Sequence, residues 1–404
     1  MLAISLQSVL ALIAAATLAS ASPRLDQRSQ DASAKSGPLG LNNVKCSDVT
    51  LRTSVTTQNF DFVNVIDNYD SSDYVTSTFL AFTGRKEQWV AEHFPGTRSP
   101  VSSTFTLRGS YCEPIRGAKK GSSLLLATHG IGFNRSYWRF PYKGPEYSFV
   151  NHAASYGYSS FIYDRIGTGK SDIPATGGFS RMQSPTEVGV LTNILEQARN
   201  SSVIGGKKHA RIVGIGHSYG SGQTLAVTSA RPELLDGVAL TGLTPATEYV
   251  PDTIYSGAYT PMREIAGIEN RNRPSIWIAT GSRTSLVQNY IDPDNADAEA
   301  VNIARRGEEG VTLGIYTTLG NIASPAPAFN KPVLVLNGNH DLPFCGSNCE
   351  RTVPPLPEGL RAIYPAASNF TSVIIPNTGH GIALHRSGPD SHEILLDWVI
   401  SNGL

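Results

Sequence analysis

The chain has 404 residues, of which 40% are hydrophobic and 16% charged, and its formal net charge is zero. This length suits one large domain or two smaller ones, each with a buried core. Because 33 basic side chains balance 33 acidic ones, no overall field favours nucleic acid or an anionic membrane, and we expect a neutral or locally recognised substrate.

Residues 1–21 have the pattern of a secretory signal peptide. They are almost wholly apolar and end in Ala19-Ser20-Ala21, an A-x-A cleavage site after a short hydrophobic core. No Lys or Arg precedes the apolar run, so a signal anchor is the alternative, although the run is short for a membrane span. We therefore predict a secreted protein without stable membrane insertion, whose polar residues 22–42 form a disordered leader.

The four cysteines predict two disulfides, because an even number in a secreted chain is usually paired. Three pairings are possible. We favour Cys46–Cys112 and Cys345–Cys349, since the members of each pair lie in the same region of the chain. A zinc site is the alternative, but neither the spacing nor an oxidising compartment suits it. Three glycosylation sequons add modest support for secretion, and they begin at Asn134, Asn200 and Asn369.

Residues 43–404 are predicted to form one α/β domain. Alternating apolar and polar residues at 49–55 and 103–111 predict antiparallel strands, whereas residues 60–94 have no clear pattern. After Gly121, short apolar strands alternate with helical stretches, which indicates a mostly parallel sheet with helices on both faces. The predicted strands are 123–129, 160–164, 211–216, 237–242, 332–338 and 372–376, and the predicted helices are 146–156, 185–200, 221–231 and 391–402.

One long interval, at about 244–330, interrupts this alternation. It contains tyrosines, Trp277 and a charged helical piece at 297–306. A crossover between parallel strands needs far fewer residues. We predict that the interval forms a cap or lid over the carboxyl ends of the strands, and we call it the cap.

The segment Gly216-His217-Ser218-Tyr219-Gly220 has the G-x-S-x-G form of a nucleophile elbow. In such an elbow a serine is exposed on a sharp turn between a strand and a helix. We expect Ser218 to have a strained backbone conformation. A side chain at Gly216 or Gly220 would collide with the turn, so glycine is expected there.

Two later residues complete a predicted catalytic triad. A serine hydroxyl needs a neighbouring base, usually a histidine that a carboxylate orients. Asp341 follows one late apolar strand and His380 follows the next, in the order acid and then histidine. The alternatives are Glu248 and Asp252 as the acid, and His385 and His392 as weaker bases.

Two backbone N–H groups are predicted to stabilise the oxyanion that forms during attack. Tyr219 supplies one, because it follows the nucleophile at the N-terminus of a helix. Ile131 supplies the other, from the loop His129-Gly130-Ile131-Gly132 after an earlier strand. His129 itself is expected to be structural, with its side chain bonded within the loop.

Together these motifs resemble those of the α/β-hydrolase superfamily. The matching segments fall in family order, cover the chain from Gly121 to its C-terminus, and are 129–130, 164–171, 216–220, 338–341 and 379–381. The N-terminal third resembles secreted fungal members only loosely. The resemblance implies the α/β-hydrolase fold. Epoxide hydrolases and haloalkane dehalogenases of this fold carry Asp at the elbow, so Ser218 argues against them.

The leading hypothesis is a secreted serine hydrolase that cleaves a carboxylic ester or lactone through an acyl-enzyme, without cofactor or metal. The expected substrate is a small to medium apolar, ester-like molecule, and the oligomeric state is left open.

The same triad serves the family's peptidases and enzymes that cleave C–C bonds or tailor polyketides by transfer or cyclisation. The elbow lacks the Gly-Gly-Ser-Trp-Gly form of proline iminopeptidases, which disfavours a peptidase. A catalytically inactive binding module is the remaining alternative, disfavoured because all three triad residues are present.

Overall fold

In the computed structural model, the described residues are 37, 39–67, 70–321 and 324–404. The predicted signal peptide and most of the predicted leader lie outside them. Within these ranges, no helix combines the length and the apolar character that a membrane span requires.

The described secondary structure consists of short strands and helices that alternate through most of the chain. The strands are β1 (Lys45–Phe60), β2 (Arg98–Glu113), β3 (Leu124–Thr128), β4 (Ser159–Tyr163), β5 (Ile212–His217), β6 (Gly237–Thr241), β7 (Thr260–Pro261), β8 (Trp277–Ala279), β9 (Val311–Thr312), β10 (Val333–Gly338) and β11 (Phe370–Ile375). The helices are α1 (Ser72–Gly84), α2 (Lys86–His93), α3 (Phe149–Ser155), α4 (Ser184–Asn200), α5 (Tyr219–Ala230), α6 (Val250–Gly257), α7 (Arg283–Tyr290), α8 (Ala298–Arg306), α9 (Leu313–Thr318), α10 (Leu342–Cys345) and α11 (Gly388–Ser401).

The main sheet of the described residues has eight strands in the order β1-β2-β4-β3-β5-β6-β10-β11. β1 and β2 pair antiparallel, β2 also pairs antiparallel with β4, and every pairing from β4 to β11 is parallel. Parallel strands end at the same edge of the sheet, so the loops after β3, β5, β10 and β11 can meet there. The predicted α/β-hydrolase fold with a mostly parallel sheet is confirmed.

The central strands of the sheet are mostly apolar and are buried at every position. Leu124 and Leu126 of β3 belong to one core cluster, which includes residues of α4 and α5. Leu125 and Ala127 point to the opposite face and belong to a second cluster, which includes residues of α3 and α11. A strand covered on both sides needs no polar alternation, which is why these segments are continuous apolar runs in the sequence.

Residues 60–94, which had no clear sequence pattern, form α1 and α2. Their apolar side chains Phe82 and Trp89 pack edge to face, with ring centroids 5.2 Å apart. Phe79 of α1 contacts Tyr316 of the cap at a centroid distance of 5.3 Å. The two helices are therefore stabilised by tertiary contacts, and in α1 the buried apolar residues also have helical spacing, which the sequence analysis did not recognise.

The cap contains α6 to α9 and, among its described residues, a three-stranded antiparallel sheet of β7, β8 and β9. This sheet was not expected from the sequence, because its strands have only two or three residues each. Trp277 of β8 is fully buried, and a Cβ atom on Gly167 would lie 1.7 Å from its ring. The cap thus packs directly on the turn after β4.

Two disulfides are present in the structure, in the pairing that the sequence favoured. Cys46 and Cys112 are direct register partners in β1 and β2, and their Cα atoms are 4.0 Å apart. Cys345 and Cys349 close a short loop directly after β10, with a Cα separation of 4.7 Å. No free cysteine occurs in the described residues.

Candidate active site

The elbow serine lies where β5 ends and α5 begins. Ser218 has φ 56° and ψ −119°, a left-handed conformation that is uncommon for a residue with a side chain. A Cβ on Gly216 would lie 2.4 Å from Ser221 Cα, so bulk there would collide with the turn, as predicted. A Cβ on Gly220 would lie 2.3 Å from the Thr128 carbonyl oxygen, so this glycine lets α5 approach β3.

The neighbouring strand β6 supports the elbow. The Ser218 N–H donates to the Thr241 carbonyl oxygen at 2.8 Å, and the Thr241 hydroxyl donates to the Gly216 carbonyl oxygen at 2.9 Å. The Thr241 hydroxyl is also 3.1 Å from His217 Nδ1. These hydrogen bonds fix the backbone on both sides of Ser218, and the residue is 9% exposed.

Asp341 and His380 form a buried hydrogen-bonded pair. Asp341 Oδ2 lies 2.7 Å from His380 Nδ1, and the two side chains are 0% and 1% exposed. The other carboxylate oxygen of Asp341 accepts the Phe344 N–H at 2.9 Å, which caps α10. Since a carboxylate can only accept, His380 Nδ1 carries the proton and Nε2 is left as the basic nitrogen.

The His380 ring lies beside the elbow. Its centroid is 5.0 Å from that of His217, the residue before Ser218. Gly242 makes this approach possible, because a Cβ there would lie 3.0 Å from His217 Cε1 and 3.1 Å from His380 Cε1. No hydrogen bond between Ser218 Oγ and His380 occurs in the described residues, and catalytic contacts of this kind often tighten only with substrate bound.

The loop after β3 contacts the serine directly. A Cβ on Gly130 would lie 2.9 Å from Ser218 Cβ. The backbone N–H groups of Ile131 and Tyr219 donate to no residue that the structure describes. His129 is structural, as expected: its Nδ1 is 2.9 Å from the Gly130 carbonyl oxygen, and its Nε2 accepts the Arg165 N–H at 3.1 Å.

Arg165 lies in the turn after β4, which the sequence singled out without a role. Its Nε donates to Glu187 Oε2 at 2.7 Å, and both side chains are fully buried. Its guanidinium lies 4.6 Å above the Tyr219 ring. The Arg165–Glu187 ion pair therefore links the turn after β4 to α4. Through the contact of Arg165 with the Tyr219 ring, it also helps to position Tyr219, the first residue of α5.

Glu309 joins the cap to the loop after β3, and no signal in the sequence marked it. Its N–H donates to the Gly132 carbonyl oxygen at 3.2 Å. Its buried carboxylate accepts the Gly169 N–H at 2.9 Å, Asn270 Nδ2 at 2.7 Å and Arg273 Nη2 at 3.2 Å. Burial raises the pKa of Glu309 to about 7, against the opposing influence of Arg273. These partners are far apart in the chain, so only the folded structure reveals the link.

The alternative acids and bases lie in other environments. Glu248 and Asp252 are exposed at the start of α6. His385 and His392 are buried, and burial lowers their pKa values to about 4 and about 3. Among the described residues, no group of three or more His, Cys, Asp and Glu side chains could hold a metal ion.

With this fold and site described, the family can be identified. The model of the alpha/beta hydrolase family matches residues 124–391, which is more than half of the chain. The chain belongs to the alpha/beta hydrolase family, and the predicted membership is confirmed. The loose resemblance of the N-terminal third to secreted fungal members stays a prediction.

Solved structures show the same fold at low sequence identity. A structure described among carboxylesterases of the thaumarchaeon Nitrososphaera gargenis is 15% identical, with a TM-score of 0.52 over 74% of this chain and 96% of that one. A thermophilic esterase from Thermogutta terrifontis is 15% identical, with a TM-score of 0.49 over 73% and 94%. A monoacylglycerol lipase from Paleococcus ferrophilus is 15% identical, with a TM-score of 0.47 over 73% and 99%. At such identities the likeness shows the fold alone. No curated protein sequence matches the chain.

Proposed function

We propose that the protein is a secreted serine hydrolase of carboxylic esters or lactones. Ser218 is the nucleophile, His380 the general base and Asp341 the residue that orients His380. The observation that carries this proposal is the buried Asp341–His380 hydrogen bond beside a serine in the strained conformation of a nucleophile elbow. Membership in the alpha/beta hydrolase family supports the reaction class.

The reaction follows from the protonation states of the three side chains. His380 Nε2 takes the Ser218 proton while Oγ bonds to the substrate carbonyl carbon. The carbonyl oxygen becomes an oxyanion and accepts hydrogen bonds from the free N–H groups of Ile131 and Tyr219. The C–O bond to the alcohol then breaks, and His380 returns its proton to the leaving oxygen. In the second half, His380 Nε2 takes a proton from water while the water oxygen attacks the acyl carbon. The bond from that carbon to Ser218 Oγ then breaks, and His380 returns its proton to Oγ, so that the acid is released and the enzyme is regenerated.

The surroundings of His380 support an uncharged, apolar substrate. The rings of Phe344 and Tyr290 lie 5.7 and 5.8 Å from the His380 ring, and Phe133 lies 5.6 Å from Tyr290. Burial keeps the phenol of Tyr290 neutral by raising its pKa well above the usual value. A carboxylate or ammonium group on the substrate would lose its hydration here without gaining an opposite charge.

Secretion is part of this proposal, and the two disulfides support an oxidising compartment. Asn200 and Asn369 are exposed, which favours them as glycosylation sites. Asn134 is a weaker site, because its side chain accepts the Ser136 N–H at 2.8 Å and lies 3.3 Å from Glu309 Oε1. A glycan on Asn134 would have to disturb these contacts.

Labelling with a fluorophosphonate tests the nucleophile directly. We expect a covalent adduct on Ser218 of the wild type, read by intact-protein mass, and no adduct on Ser218→Ala. The variant should lose ester hydrolysis by about 10⁶-fold, because Ser and His act as one unit. Ester, lactone and peptide panels then identify the bond that is cleaved. A folded wild type that takes up no label would contradict the proposal and favour a binding module.

A further inference from the structure

His385 is a buried histidine that bonds to both residues flanking His380. Its Nδ1 lies 2.9 Å from the Gly381 carbonyl oxygen. Its Nε2 accepts two backbone N–H groups, from Gly379 at 3.1 Å and from Asp292 of the cap at 2.8 Å. The His385 imidazole thus bonds to the loop on both sides of His380. It also bonds to a segment of the cap that lies almost a hundred residues earlier in the chain.

The cap segment is residues 290–292 at the C-terminal end of α7, which we call the cap strap. The Tyr290 carbonyl oxygen accepts the Gly381 N–H at 2.6 Å. A Cβ on Gly379 would lie 2.7 Å from the Asp292 nitrogen, so the loop packs directly on the strap. Asp292 Oδ2 also lies 2.6 Å from Nδ1 of His340, the residue before Asp341. The strap therefore contacts the loops of both the base and the acid.

We propose that His385 is a positioning residue for the reaction: its neutral imidazole ties the His380 loop to the cap strap and thereby sets the direction of the His380 ring. The inference rests on the proposed triad. Its physical basis is that Nε2 can accept two N–H groups only while it carries no proton. Small displacements of a catalytic base matter, because the proton transfer requires hydrogen-bond distance and alignment.

Burial keeps His385 neutral through the physiological range by lowering its pKa to about 4. Two ionisable groups face it across the strap: the Asp292 carboxylate favours the charged form and His340 opposes it. Below about pH 4, the added proton would point at two N–H donors, and the three-way junction would open. We therefore expect acid to remove the positioning in addition to protonating the catalytic base.

The test compares two substitutions of His385 in the full-length secreted protein. His385→Ala removes the junction, and we expect the rate of fluorophosphonate labelling and kcat for an activated ester to fall by up to about 100-fold, with a smaller change in KM. His385→Gln places an amide oxygen near the Nε2 position and should restore part of the rate. His392→Ala is the matched control, because it removes another buried histidine and is expected to lower Tm without changing the labelling rate.

The pH profile provides a readout that a purely structural role would not change. In the wild type, log(kcat/KM) should fall more steeply below about pH 4, where His385 takes up a proton. His385→Gln should lack this steeper fall, because the glutamine side chain does not titrate. The comparison of wild type with His385→Gln therefore tests the positioning role of His385 even if His385→Ala fails to fold.

Labelling of folded His385→Ala at the wild-type rate, or an unchanged acid limb in His385→Gln, would overturn the inference while leaving the triad intact. If the wild type itself is not labelled, the proposed triad fails and the inference fails with it.

Discussion

The elbow that carries Ser218 and the loop that carries His380 are held by different kinds of contact. Around the serine, Gly216 allows a tight turn between β5 and α5, and Gly220 lets α5 approach β3. The His380 loop is held by Asp341, by His385 and by the cap strap at residues 290–292. The conformation of Ser218 thus depends on the elbow glycines and the neighbouring strands, whereas the proposed base His380 depends on the cap.

The cap contacts loops on both sides of the candidate site. Its strap bonds to Gly381 beside the base, and its Glu309 bonds to Gly132 beside the predicted oxyanion donor Ile131. A cap that moved as one body would pull on both loops at once.

The largest expected effect comes from the acid that orients the base. Asp341→Asn should lower kcat by about 10⁴-fold, because the amide no longer favours the Nδ1–H form of His380, while it still offers an oxygen to cap α10. Steady-state kinetics on an activated ester would measure this. Asp252→Asn, the exposed alternative acid, is the control and should retain wild-type kcat. Equal losses in both variants would contradict the assignment.

Removing each disulfide should affect the stability of the protein and its catalytic rate to different extents. Cys46 and Cys112 are 66 residues apart, and replacing both by serine should lower the free energy of unfolding by about 4 kcal/mol through loop entropy, with kcat/KM of the folded protein unchanged. Cys345 and Cys349 are only 4 residues apart, so the same change should cost about 2 kcal/mol.

The second disulfide, however, follows Asp341 directly, so its loss should also slow hydrolysis by loosening the acid. Chemical denaturation and kinetics on both double variants would measure these two effects. A normal rate after loss of Cys345–Cys349 would show that the bridge does not position Asp341.

The smallest effect on the rate is expected from a methyl group at Gly216 in the elbow. Gly216→Ala should destabilise the protein by about 1–3 kcal/mol and reduce labelling of Ser218, because the new methyl group would meet the backbone of Ser221. Gly84→Ala is the matched control, since a Cβ there meets no atom within 4 Å and its φ is not positive. Thermal unfolding and labelling rates would compare them. If Gly216→Ala changed neither the thermal stability nor the labelling rate, the backbone of the elbow would be able to move enough to accommodate the methyl group.

The parts of the fold that the sequence predicted are those with strong local signals. The apolar runs of the central strands were recognised to within about two residues at their ends, because strands that are buried on both faces have few polar residues. The cap sheet was missed because strands of two or three residues have no periodicity. Helices α1 and α2 were missed because their stability comes from partners such as Tyr316, which lies more than 200 residues later.

By itself, the sequence determined the fold class and the candidates Ser218, Asp341 and His380, because elbow glycines and residues at strand ends form short, ordered patterns. Only the tertiary structure revealed how the candidates are held: His385 between Gly379 and Gly381, Asp292 beside His340, and Glu309 against Gly132. These contacts join residues that are far apart in the chain. Their geometry depends on how the cap packs against the sheet, and no local pattern of residue types encodes that packing.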